Sequence, residues 1–305
     1  MAGIALLGLL VGWARQSQPV SATPLAQQKK VSVPPTNQER GSMIQQSTSI
    51  PEQAVWATFK RYHYGMDHQN VVYIHMPNHH GRVPLAILVH GGNYLFGSAT
   101  DYSMLPLACY FVDQGYAVAS VEYRTLQHHR WPVPVEDVRQ AVSYIFRSIG
   151  DRVDQTTYVG YSAGAVTGAL LLYTDHYGHI DGIDRFIGLS GLYDKTATSP
   201  DPVETIRSQS LERIDLLRVI DHIRNPKQPV PALLVEGSRD YFADQYPDTP
   251  QSHAEKLAGL LQGHHIPAKT FWSTAAGLDN HDGPIALFAM RDRAFMKTLN
   301  AFLTQ

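Results

Sequence analysis

An α/β fold with a mostly parallel sheet and helices on both faces is what this sequence predicts, and three observations carry the expectation. Short apolar, β-branched runs recur along the chain from about residue 51. Between them lie longer stretches whose apolar residues return every three or four positions. Two glycine-rich junctions, "HGGNY" and "GYSAG", each sit directly after one of the apolar runs. Strands alternating with helices of this length form parallel sheets buried on both sides, and sites in such sheets lie beyond the carboxyl ends of the strands.

Taken in order, the strand-like runs are "VVYIHM" (71–76), "LAILVH" (85–90), "YAVASVEY" (116–123), "TTYVGYS" (156–162), "RFIGLSG" (185–191), "PALLVEG" (231–237) and "AKTFWS" (268–273). "MLPLACYFVDQG" has a helical apolar pattern, which makes its Cys109 a buried, inert thiol rather than a nucleophile. In "VEDVRQAVSYIF", Val135, Val138, Ala141, Val142, Ile145 and Phe146 share one helical face. "AGAVTGALLLY" is a third helix, and a single last helix carries Ile285, Leu287, Phe288, Phe295, Leu299 and Phe302.

Composition excludes several function classes. The 305 residues are 44% hydrophobic and 17% charged, as in an ordinary globular protein. A net charge of −2 offers no broad basic surface for nucleic acid or anionic lipid. With one cysteine, no intrachain disulfide can form. At the N-terminus, "IALLGLLVGWA" is an apolar run of signal-peptide length, and "PVSA" suits cleavage after Ala22. No lysine or arginine precedes the run. Residues 1–22 therefore read as a signal peptide, 23–50 (rich in Gln, Ser, Thr and Pro) as a flexible linker, and 51–305 as the catalytic domain. A secreted or periplasmic location follows, against a cytoplasmic alternative or a membrane-tethering segment. No membrane contact beyond this N-terminal run is expected, and the sequence leaves the oligomeric state open.

"GYSAG", residues 160–164, falls where the fourth run gives way to a helix, the context of a nucleophile elbow. Gly160 and Gly164 admit a turn too tight for side chains, with Ser162 exposed at its apex. A serine hydroxyl needs a base and a group to orient that base. Asp240, at the end of "LLVEGSRD", and His281, in "LDNHDG", follow in the chain order Ser, acid, His that this architecture uses. Asp244 and Asp248 read as members of a solvated loop, and His264 and His265 as residues at the opposite end of the sheet. The pairs His79–His80 and His128–His129 lie in loops. Adjacent histidines rarely chelate one ion, so neither a metal nor an organic cofactor is expected. The double glycine of "HGGNY" then acquires a purpose. Its backbone approaches the oxyanion that forms when Ser162 attacks a carbonyl, while Ala163 supplies the amide after the nucleophile.

These motifs resemble the α/β-hydrolase superfamily, in its esterase/lipase group related to hormone-sensitive lipase, feruloyl-esterase-like enzymes and kynurenine formamidase. The resemblance is carried by "YGMDHQNVVYIHMP", "HGGNYLFGS", "VEYR" with "WPVPVEDVRQAV", "GYSAG", "SGLYD", "GSRD" and "HDG", over residues 63–290. It implies an eight-stranded sheet with an antiparallel second strand, a triad of Ser162, Asp240 and His281, and an oxyanion hole from the Gly92, Asn93 and Ala163 amides adjoining Gly91. Arg124 and Asp137 match positions that support the oxyanion loop, and they read as an ion pair. Asn93 stands where the group usually has a third glycine. The stretch 194–229 leaves room only for a small helical cap. The expected activity is hydrolysis of small-molecule carboxylic esters through an acyl-enzyme. The alternatives are an arylformamidase with the same triad and a non-catalytic binding protein.

Overall fold

The computed structural model describes residues 52–78, 81–194, 219–223, 229–240 and 252–305. The proposed signal peptide and linker lie outside the described residues, as do His79, His80, Asp244, Asp248 and most of the expected cap. Eight strands form one sheet: β1 (Lys60–His63), β2 (Val71–His75), β3 (Val83–Val89), β4 (Ala117–Val121), β5 (Val153–Tyr161), β6 (Arg185–Leu189), β7 (Ala232–Gly237) and β8 (Ala268–Ser273). Their spatial order is β1-β2-β4-β3-β5-β6-β7-β8. β2 runs antiparallel to both of its neighbours, and every pairing from β4 to β8 is parallel. The antiparallel second strand is thus as expected.

The α-helices among the described residues are α1 (Leu105–Asp113), α2 (Val133–Ile149), α3 (Ala163–Tyr173), α4 (His253–Gly263), α5 (Gly283–Ala289) and α6 (Arg293–Leu303). They cover the sheet on two sides, and strand alternation decides which side chain meets which layer. Leu85, Ile87 and Val89 of β3 point into a core shared with Val135, Val138, Val142 and Ile145 of α2 and Leu257 and Leu261 of α4. Ala86 and Leu88, the intervening residues, join Leu107 and Phe111 of α1 and Phe288, Phe295 and Phe302 of α5 and α6. Complete burial of one such aliphatic or aromatic side chain stabilises by about 1.5–3 kcal/mol, so the two layers supply the main drive to fold. α3 is buried over its whole length, which explains why its sequence is apolar on every face.

Two elements depart from the sequence expectation. β1 was absent from it: Lys60, Arg61, Tyr62 and His63 are all exposed on an edge strand, so they carry neither apolar run nor alternation. The single last helix is in fact two. The chain breaks between Ala289 and Arg293, where Arg291 takes φ 51° and Asp292 caps the new helix by accepting the Phe295 amide at 2.8 Å. The Arg291 guanidinium lies 4.8 Å from the centre of the Tyr110 ring and donates to Asp113 of α1, 2.7 Å away. The break lets both short helices lay their phenylalanines on the same face. Asp292→Ala should remove the cap and cost about 1 kcal/mol, lowering the melting temperature by about 3 °C in a domain of this size. Thermal unfolding followed by circular dichroism reads this directly.

Candidate active site

Four loops converge at the carboxyl edge of the sheet: those after β3, β5, β7 and β8. The turn after β5 carries Ser162, whose φ of 51° and ψ of −116° lie in a region that non-glycine residues rarely adopt. The surroundings hold it there. The Ser162 amide donates to Leu189 O at 2.8 Å, and its carbonyl receives the Ala165 and Val166 amides at 3.0 and 3.1 Å. Close approach accounts for both elbow glycines. A Cβ on Gly164 would stand 2.1 Å from the Val89 carbonyl oxygen, and one on Gly160 would stand 2.4 Å from the Gly164 carbonyl oxygen. The elbow therefore exists only because α3 enters directly over the end of β3.

The three residues singled out by chain order meet here. His281 Nε2 lies 3.0 Å from Ser162 Oγ, and its Nδ1 lies 2.8 Å from Asp240 Oδ2. An ionised carboxylate only accepts, so Nδ1 carries the hydrogen and Nε2 is left as the acceptor facing the serine hydroxyl. Asp240 is buried just past β7, where its amide donates to Gly237 O at 3.2 Å. The His281 loop is fixed by Ser190 Oγ, which donates to the His281 carbonyl at 2.7 Å, and by the Arg239 amide, 2.6 Å from Asp279 O. His264 and His265 sit after α4, at the amino-terminal approach to β8 and away from this edge. Among the described residues, no group of three His, Cys, Asp or Glu side chains is arranged to hold a metal ion.

The loop after β3 approaches the same point. A Cβ on Gly91 would stand 2.8 Å from Ser162 Cβ, so a glycine is needed for the backbone to come this near Ser162. Gly92, Asn93 and Tyr94 follow with φ of 103°, 55° and 62°, a left-handed run in which Asn is among the better tolerated residues. Gly92 O receives the Leu95 and Phe96 amides at 2.9 and 3.1 Å, closing the turn. The aromatics divide: Tyr94 is buried beneath the elbow helix, donating to Ala163 O at 3.0 Å, whereas Phe96 faces solvent. As the first residue of α3, Ala163 has an amide with no intrahelical acceptor. It points out of the positive end of the helix dipole beside Ser162.

Beneath this loop lies a polar support that sequence reasoning missed. His90 is fully buried and stacks on Tyr123 with ring centres 4.1 Å apart. Its Nδ1 meets Gly91 O at 2.8 Å and its Nε2 meets Glu122 Oε1 at 3.1 Å. Tyr123 Oη donates to the His90 and Gly91 carbonyls, and Glu122 Oε2 accepts the Ala99 amide at 3.0 Å. Arg124 and Asp137 do form the expected ion pair. Nε and Nη2 reach the two carboxylate oxygens at 2.8 and 2.6 Å, and Asn70 donates to the same carboxylate at 2.9 Å. The pair anchors the 122–126 segment, from which the Leu126 amide reaches Tyr94 O at 2.8 Å.

Solved structures share this architecture. Esterase B from Lactobacillus Rhamnosis superimposes with a TM-score of 0.63 at 16% identity, covering 87% of this chain and 94% of that one. Esterase 2 of Thermogutta terrifontis does so with 0.61 at 15% identity, over 80% and 96% of the two chains. A family model, BD-FAE, matches residues 72–190. The fold is that of the α/β-hydrolases. The chain is also 29% identical over 184 residues to Esterase LipC of Mycobacterium tuberculosis (strain ATCC 25618 / H37Rv), a match spanning 52% of this chain and 44% of LipC. The BD-FAE match runs from β2 through β6, so it contains the HGG loop and the elbow but stops before Asp240 and His281. Those two rest on the geometry.

A further buried carboxyl stands behind Ser162, His281 and Asp240. Glu236, near the end of β7, accepts the Ala254 amide at 3.0 Å at the start of α4. Burial, opposed by that hydrogen bond and reinforced by the nearby Asp240 charge, pushes its carboxyl up to about 7. The folded state thus holds this proton more tightly than the unfolded chain does. Stability from this group is full below about pH 4.5 and is lost as pH rises through 7. The change corresponds to a quantity on the order of 3 kcal/mol. Glu236→Gln, which can still accept the amide, should therefore raise the melting temperature by several degrees at pH 8 and leave it unchanged at pH 4. Paired thermal melts at the two pH values check this.

Proposed function

We propose that this protein is a serine carboxylesterase acting through an acyl-enzyme, with Ser162, His281 and Asp240 as its triad. The observation that carries the proposal is the continuous line of two hydrogen bonds, Ser162 Oγ to His281 Nε2 and His281 Nδ1 to Asp240, at the edge where the HGG loop approaches the nucleophile. Ser162 Oγ attacks the ester carbonyl carbon as His281 Nε2 takes its proton. Asp240 holds the ring in the required tautomer and stabilises the imidazolium. The carbonyl oxygen becomes an oxyanion beside the Ala163 amide and the Gly92 and Asn93 amides, preorganised donors that need no rearrangement at the moment of reaction. On collapse the alcohol leaves with the proton from His281. Water then attacks the acyl-serine, giving its proton to His281, which returns it to Ser162 Oγ as the acid is released.

The relatives' names favour an ester as substrate over an aryl formamide. One of them is titled a carbohydrate esterase from gut microbiota, with a TM-score of 0.62 at 17% identity over 81% of this chain and 96% of that one. A binding protein without catalysis fits less well, because the nucleophile, base and acid are all present and in register. Export is also part of the proposal, and it rests on the apolar run at residues 4–14. Amino-terminal sequencing of protein from the culture medium or periplasm should begin at Thr23.

Ser162→Ala and His281→Ala should each lower kcat/KM on p-nitrophenyl acetate by at least roughly a thousandfold, and the double variant should be little worse than either. His264→Ala and His265→Ala should stay close to the parent rate. Substantial turnover by purified, folded Ser162→Ala would refute the proposal.

A further inference from the structure

The distance between Ser162 and His281 is set by two loops 119 residues apart in the chain, and a second bond joins those loops one residue away on each side. Tyr161 precedes the nucleophile and Asp282 follows the histidine. The Tyr161 hydroxyl donates to Asp282 Oδ1. Tyr161 is buried at the end of β5. Burial first, and the Asp282 carboxylate second, hold its phenol far above the ordinary tyrosine range, so it stays a donor across the working pH range. Its ring also packs against the imidazole, with centres 5.5 Å apart and planes at 45°.

Asp282 occupies the N-cap of α5, where an aspartate commonly accepts one of the first helical amides. It makes no such side-chain bond here. The carboxylate is turned instead toward the elbow. His281 is thereby held on three sides: Nδ1 by Asp240, its carbonyl by Ser190 Oγ, and the following residue by Tyr161. The first contact alone would leave the ring free to pivot about its bond to Asp240. The third contact ties the histidine loop directly to the strand that ends in Ser162.

We infer that the Tyr161–Asp282 hydrogen bond is a positioning device that keeps His281 Nε2 within reach of Ser162 Oγ. This rests on the serine esterase proposed above. Tyr161 and Asp282 act through His281, so their loss should fall on kcat and spare KM.

Steady-state kinetics on p-nitrophenyl acetate test it with Tyr161→Phe, Asp282→Ala, Asp282→Asn and the Tyr161→Phe/Asp282→Ala double variant. Tyr161→Phe and Asp282→Ala should each lower kcat about tenfold with KM within about twofold of the parent. The double variant should be no slower than the slower single one, because both changes delete one bond. Asp282→Asn keeps an acceptor oxygen and should recover most of the lost kcat. The rate of inactivation by a fluorophosphonate should fall in parallel, and the reaction temperature is kept well below each variant's own melting point so that unfolding cannot mimic the effect. Parent-like kcat in Tyr161→Phe, multiplying losses in the double variant, or a loss confined to KM or to thermal stability would overturn the inference while leaving the esterase reading intact. A parent enzyme without Ser162-dependent turnover would overturn both.

Discussion

The contact on which the site depends is the seating of the elbow helix over the end of β3. Gly164 meets the Val89 carbonyl oxygen so closely that no side chain fits between them, and Gly160 meets Gly164 in the same way. With the helix so placed, Ser162 is forced into a positive-φ conformation that costs on the order of 1–3 kcal/mol and persists only because its neighbours determine it. That strain puts the hydroxyl at the apex. The same seating brings the loop after β3 alongside, so Gly91 comes to rest against Ser162 Cβ. The Ser162 turn, the helix dipole beside it and the approach of the HGG loop are consequences of one packing event in the parallel β3–β5 pair.

Around that event the polar groups are arranged in supporting tiers rather than as isolated contacts. Asp240 and Ser190 fix the ring and backbone of His281, and both stand at the ends of strands flanked by two apolar layers. His90, Glu122 and Tyr123 fill the space beneath the HGG loop and satisfy its inward-facing carbonyls, which would otherwise be buried without partners. Arg124 and Asp137 tie the next stretch to α2. These contacts hold the loop's carbonyls in place, and preorganisation of this kind is what the proposed oxyanion donors require.

Much of this was legible from the residues. Seven of the eight strands announce themselves as apolar runs, the inner ones because both of their faces are buried; β1 does not, because Lys60 to His63 lie exposed on the edge. Ser162, Asp240 and His281 could be chosen because strand-end placement and chain order narrow the choice to one residue of each type. The break at Arg291 was hidden by an apolar period that continues across it, although Asp292 was a visible capping residue. The supports were harder to see. His90 with Glu122 and Tyr161 with Asp282 are 32 and 121 residues apart, and only the folded sheet makes them neighbours. Glu236 left a faint trace, a lone acid inside the apolar strand "PALLVEG".

The central claim is that Ser162 is an activated nucleophile, and covalent trapping tests it most directly. The full chain would be treated with a fluorophosphonate, digested, and mapped by peptide mass spectrometry. The account predicts one stoichiometric adduct, on the peptide carrying "GYSAG" and at Ser162, and none on protein denatured beforehand. Failure of the folded parent to form an adduct, or an adduct on another residue with Ser162 unmodified, would contradict it.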